Sequence, residues 1–363
     1  MSRLALRTAR PSVAHALLLR AAFTDDTDAF RRWETERTGD PLEATFLPAL
    51  FRSVERQALE TDAFEELQRA WRESWAVNVR QLHAVAGALQ ALTDAGVETV
   101  LLKGAALVAD GAAVDLGTRV MSDVDALVPF DQAQAAADAL TAAGWHMLST
   151  RTFAEERARG HSVSFLDAEN QQVDLHWRAL FDPADDTALL RRKVGADLVG
   201  TPTHVPSPAD QLVLTCLHGI GWHGAPLRWL ADSTQLLSKH PDLDWDVVTS
   251  EARARRSAHR IASQLEVLQD VMSVEIPRYV VTQLRQDRLT VTERAVQRAK
   301  DSSHWGTTIY VCSWDHARRS RALGVDEDLM SFAMIDLGLT SKRQLARRMV
   351  TRPFRHLRYR LTG

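Results

Sequence analysis

The apolar pattern of this chain changes period twice, and that change limits the folds open to it. Before Gly96, Trp71, Trp75, Val79, Leu82, Val85, Leu89 and Leu92 recur at intervals of three and four, tracing one face of a helix that Gly96 closes. From Val97 onward, β-branched runs alternate with short helical stretches. Residues 97–102 and 121–128 read as strands around a short Ala-rich helix. Asp131 caps a helix running to Ala143, Gly144 ends it, and 145–148 resume as strand. Residues 162–166 and 172–177 flank a hairpin loop at 167–170. The segment 195–207 is rich in Gly, Pro and Thr and reads as a linker. After it Ser207 and Pro208 open a helix. Helical spacing returns at Ile261, Leu265 and Leu268 and over 326–337. The expected architecture is α+β: a small mixed-sheet core over 96–195, between an N-terminal helical region, 1–95, and a C-terminal helical domain, 196–363.

Composition narrows the function classes. With 363 residues the chain exceeds one typical core, which fits this three-part division. A formal charge of -3 argues against a protein that coats nucleic acid with its whole surface. The charge is uneven, however: residues 341–363 carry eight Lys and Arg and no acid, so the rest of the chain is more acidic than the total. In this basic tail Leu345, Met349, Leu357 and Leu361 make an apolar stripe broken by Pro353. The tail admits three readings: a solvated helix packed on the domain, an RNA contact, or a contact with an anionic membrane. Cys216 and Cys312 are too few for a disulfide framework and too isolated for a thiolate zinc site. No apolar run reaches the ~20 residues of a membrane span, and the run 16–19 is cut by Arg20 too early for a signal peptide. A cytoplasmic protein is expected.

Asp123 and Asp125 are the most informative pair. Two residues apart on a strand, they share a face while Val124, Ala126 and Val128 face the other way. Adjacent carboxylates repel unless a cation sits between them, and such oxygen ligands suit Mg²⁺ bound together with substrate phosphates. On its own the pair is equally a solvated strand end. Asp174 and His176 share a face of a second strand, and if the two strands are neighbours three carboxylates converge, the arrangement for metals flanking a phosphoryl displacement. Upstream, Lys103 and Gly104 end a strand and open a helix, so a phosphate could meet backbone N–H groups and a point charge. Arg119 adds a second cation on the approach. His176 could contact phosphate or orient a hydroxyl, or be a satisfied strand-edge histidine, and His161 at the hairpin start is similar. His218 and His223 are five apart and outside a His-Glu-x-x-His pattern, which rejects a zinc helix. The segment holding Trp222, Arg228, Trp229 and Asp232 reads first as packing, with Arg228 or Asp232 as candidates for an acceptor pocket.

The series Lys103-Gly104-Ala105-Ala106-Leu107, Arg119 through Val128, Gly144-Trp145, His161 and Val173-Asp174-Leu175-His176-Trp177 resembles the uncharacterised nucleotidyltransferase family of the polymerase-β-like superfamily. The likeness continues through Ser207-Pro208-Ala209-Asp210-Gln211-Leu212, His218 and Leu227 to Asp232. The resemblance implies a nucleotidyltransferase core in which Asp123 and Asp125 bind metal, Asp174 completes the carboxylate triad, and Gly104 begins the nucleotide-binding helix. Lys103, Gly104, Ala105, Arg119, His161 and His176 are the expected nucleotide-binding positions. Two features depart from the superfamily: Ala105 stands where a Ser hydroxyl usually helps hold phosphate, and the stretch from Gly104 to Asp123 is long.

The expected activity is metal-dependent transfer of an NMP from an NTP, ATP foremost, to a hydroxyl of an acceptor, with release of pyrophosphate. Mg²⁺ is the expected metal and Mn²⁺ its substitute. Small molecule, peptide or protein side chain, and RNA end all remain open as acceptor. The alternative is a non-catalytic nucleotide-binding or scaffold protein, which the missing hydroxyl favours and the retained carboxylates oppose.

Overall fold

The computed structural model describes residues 10–113, 115–218, 227–301, 305–323 and 343–344. Trp222, His223, the helical spacing over 326–337 and the apolar stripe of the basic tail lie outside the described residues.

The first part of the chain is helical, with Val13–Phe23, Thr27–Glu36, Pro41–Ala44 and Leu47–Arg56 preceding one long helix, Phe64–Asp94. Gly96, at φ +72°, takes the left-handed conformation that stops it. The apolar spacing marks the buried face over Leu82, Val85, Leu89 and Leu92, and departs from it at Trp75. Ser74, Asn78, Gln81, Leu82, Val85 and Leu89 are buried, while Trp75 is 46% exposed.

Seven strands then form one mixed sheet in the order β3-β4-β5-β2-β1-β7-β6. These are β1 (Val100–Leu101), β2 (Val124–Leu127), β3 (His146–Met147), β4 (Ser162–Leu166), β5 (Gln172–His176), β6 (Val194–Leu198) and β7 (Thr201–Val205). The architecture is α+β with helical flanks, as expected. The hairpin β4–β5 forms around the 167–170 loop. The other strands are shorter than the apolar runs suggest, and Asp123 lies one residue before β2.

Two local expectations are corrected. Asp131 does not cap the helix Ala133–Ala142; it sits inside a 3₁₀ turn, Phe130–Gln132, that leads into it. The expected linker is instead largely the hairpin β6–β7, turned at Val199 and Gly200 with φ +53° and +84°. Its Thr and Val residues suit a pleated strand, and the two positive φ values are those of a tight hairpin turn. β7 pairs parallel with β1, so this hairpin completes the sheet.

One sheet face packs on the long helix: Val124, Ala126 and Val128 share a core with Leu82, Val85 and Leu89. The opposite face carries Val100, Leu102 and Leu127 and meets Leu214 of the helix Pro208–His218. The helices before and after the sheet share a core of their own, in which Leu18, Trp33 and Leu50 pack with Leu230, Ile261 and Leu265. Among the described residues no helix is long and apolar enough to cross a membrane.

Candidate active site

The central pairing of the sheet assembles the carboxylates. β2 and β5 run parallel with Asp125 directly opposite Asp174. Because side chains alternate along a strand, both project from the same face, and His176 projects beside them two residues on. Carboxylate oxygens of Asp125 and Asp174 and a ring nitrogen of His176 lie within 4.8 Å of one another. His176 donates from Nε2 to Asp125 Oδ1 at 2.9 Å, while its Nδ1 lies 3.2 Å from the Arg178 carbonyl oxygen. Asp174 Oδ1 accepts from Ser164 Oγ at 2.6 Å and Gln172 Nε2 at 2.9 Å, which leaves its Oδ2 for other work.

Lys103 reaches the same spot from the other side. It is non-glycine yet has φ +50°, a strained conformation of the kind that clusters at functional turns. Its Nζ forms an ion pair with Asp125 Oδ1. Asp125 thus meets two donors, and although burial favours its neutral form, His176 and then Lys103 hold its pKa well below the usual carboxylate range. Asp123 is shifted the other way. Burial and the neighbouring Asp125 and Asp174 push its pKa up, with Lys103 opposing. As a donor set, Asp125, Asp174 and His176 fit a divalent cation; Asp123, which lacks an ion-pair partner among the described residues, lies outside that close group.

Gly104 is the second residue of the helix Lys103–Ala109, and a β-carbon there would overlap the Arg119 guanidinium. Arg119 is fixed by Asp232, which accepts from its Nε and Nη2 at 2.9 Å each. Burial works against the Arg119 charge, but Asp232, with Asp125 and Asp123 behind it, raises its pKa. Arg119 therefore serves first as a brace between the Gly104 turn and the helix Arg228–Lys239.

These groups line one pocket of about 350 Å³, walled on the sheet side by Lys103, Gly104, Ser122, Asp123 and Asp125. The opposite wall comes from Gln211, Leu214, Thr215 and His218 and from Arg228, Trp229 and Asp232. Ala105 is buried in the core instead, and it does not line this pocket. Nor do Asp174, His161 and His176; the His161 ring stacks edge-on against His176 at 5.2 Å, behind the carboxylates. Burial, with His176 and Lys103 nearby, lowers the His161 pKa well below its ordinary value. Burial followed by Lys103 lowers that of His218 to about 4, so both rings are neutral near pH 7.

Sequence reasoning reached the sheet side of this pocket and only part of the far wall. Leu214 and Thr215 sit at ordinary helical spacing and carry no motif, and Gln211, though within the likeness over 207–212, has no assigned role. Trp229 reads as core, and it is indeed 3% exposed. Asn78, fully buried, was also missed: its amide donates to the carbonyls of Leu116 and Arg119 and accepts from Met121 N, pinning the loop that leads to Asp123.

The sequence profile described as uncharacterised nucleotidyltransferase matches residues 43–273, and the chain belongs to this family. No curated protein matches the chain. Among solved structures it is similar to the antibiotic-resistance factor ANT(2'')-Ia, at 14% identity and a TM-score of 0.36, over 50% of this chain and 93% of that one.

Proposed function

We propose that this nucleotidyltransferase moves an NMP from an NTP to a hydroxyl of its acceptor with release of pyrophosphate. The observation that carries this reading is the parallel register of Asp125 against Asp174, beside the Lys103–Gly104 turn. Asp123, Asp125 and Asp174 would hold Mg²⁺ or Mn²⁺, which when bound neutralises phosphate charge and polarises the α-phosphorus.

The chain's own residues do the rest. Lys103 exchanges Asp125 for the triphosphate, where its point charge offsets the charge of the leaving pyrophosphate. Gly104 lets phosphate oxygens approach the first N–H groups of its helix. Ser122, which lines the pocket, supplies a hydroxyl that Ala105 lacks. Asp174, which does not line this pocket, would face the acceptor from outside it: its Oδ2 would take the hydroxyl proton as the new O–P bond forms and the bond to the β-phosphate oxygen breaks. His176 holds Asp125 in place through the reaction. ATP is the expected donor and the cytoplasm the expected compartment.

Replacing Asp123 with Asn should lower turnover by about 10³-fold or more, since several kcal/mol of charge stabilisation is lost. The measurement is pyrophosphate release with an α-labelled NTP against a panel of hydroxylated small molecules, peptides and RNA ends, with circular dichroism to show that the variant folds. Activity that survives the substitution would remove the metal assignment.

A further inference from the structure

Three cations and three carboxylates line the pocket: Lys103, Arg119 and Arg228 with Asp123, Asp125 and Asp232. Lys103 is paired with Asp125 and Arg119 with Asp232. That leaves one group of each sign. Asp123 is accounted for by the metal reading, whereas Arg228 has no ion-pair partner among the described residues. Its guanidinium donates to a backbone carbonyl, that of Val120. The carboxylates that act on it are Asp232, already engaged by Arg119, and Asp123 across the pocket. Its surroundings are unfavourable to the charge, because burial and then the neighbouring Arg119 lower its pKa. A largely buried cation without a counter-ion is costly to keep unless a ligand supplies the missing charge.

Two further donors belong to the same wall. Arg228 is the first residue of the 12-residue helix Arg228–Lys239, whose N-cap, Leu227, offers no side-chain acceptor. Among the described residues no side-chain cap answers the partial positive charge of that helix end. Next along the chain, Trp229 is 3% exposed, and its indole Nε1–H is buried with no hydrogen-bond partner among the described residues. An orphaned buried donor is costly, so a guanidinium without a counter-ion, a buried indole N–H beside it and a helix end share a single remedy, an anion.

We infer that the start of this helix is an oxyanion subsite, in which Arg228 and the Trp229 indole bind a phosphate or carboxylate group facing the Lys103–Gly104 turn. The inference rests on the nucleotidyl-transfer reading only for the source of that group. It is either the terminal phosphate of the NTP or an acidic group carried by the acceptor.

The test is calorimetric titration of NTP, of the matching NMP, and of inorganic phosphate with and without bound NTP, into the wild type, Arg228→Gln and Trp229→Phe. If the anion is the terminal phosphate, Arg228→Gln weakens NTP binding roughly tenfold or more and leaves NMP binding unchanged. If it belongs to the acceptor, NTP binding is unchanged and the NTP-loaded protein loses its affinity for inorganic phosphate. Trp229→Phe, which keeps the ring and removes the donor, shifts the same ligand by a smaller factor. In the unmutated protein, one indole N–H resonance moves when the anion is added, a readout independent of how the variants fold. Should no NTP bind while phosphate binding still requires Arg228, the donor reading fails and the subsite stands. NTP, NMP and phosphate affinities equal in all three proteins, with no indole resonance moving, overturn the inference.

Discussion

At Gly104 the absence of a side chain is a packing requirement. A β-carbon there meets the Arg119 guanidinium, with Met121 Sδ a further 3.0 Å contact. Gly104→Ala is expected to displace Arg119 from Asp232, to cost about 1–3 kcal/mol by overpacking, and to weaken NTP binding. Thermal melts and NTP titration check this, and a variant with unchanged melting and binding would show that Arg119 yields freely. The Lys-Gly turn and the aspartate pair were legible because each rests on residues close in sequence. The role of Arg119 was not: read as a triphosphate ligand, it spends two donors on Asp232, 113 residues away. No local pattern contains that pairing. The same holds for Arg228, whose significance comes from the charges around it being already matched.

Among the elements, the long helix Phe64–Asp94 shows most clearly what periodicity misses. Its apolar spacing marks Leu82, Val85, Leu89 and Leu92, which are buried, and Trp75, which is not, and it passes over Asn78 and Gln81 on the face against the core. These two amides satisfy backbone groups that the sheet leaves open. Gln81 Nε2 donates to the Gln172 carbonyl at 2.5 Å, at the start of β5, and Asn78 binds the loop before β2. The helix is thus a support for both carboxylate strands, and it supports them through polar groups that an apolar pattern does not register. Asn78→Ala should leave the carbonyls of Leu116 and Arg119 and the N–H of Met121 without their side-chain partner. The expected cost is about 2 kcal/mol or more, seen by chemical denaturation, with a fall in turnover as the Asp123 loop loosens. Unchanged turnover in a destabilised variant would confine Asn78 to stability. The hairpin β4–β5 was legible from its alternation and turn. The hairpin β6–β7 was not, because Pro202 and the flanking glycines signal a break while the parallel neighbour that stabilises it, β1, lies about a hundred residues earlier.

Across the whole molecule, the pocket exists only where the sheet meets the helices that follow it. Those helices are held by the core they share with the N-terminal helices and by a buried ion network. Arg255 bridges Asp186 and Glu251 at 2.7 Å each, and Arg192 joins Glu251 to Asp210 at the start of the helix Pro208–His218. That anchoring places Gln211, Leu214 and Thr215 opposite the Lys103–Gly104 turn, so a nucleotide would bridge two layers built from distant parts of the chain. The central claim is that the carboxylates bind an NTP through a divalent metal. Calorimetric titration of each NTP in Mg²⁺ and in EDTA, on the wild type and on Asp123→Asn, tests it most directly. The account predicts NTP binding that requires Mg²⁺ and is lost in the variant. Binding indifferent to both EDTA and the substitution, or no binding of any NTP, would contradict it.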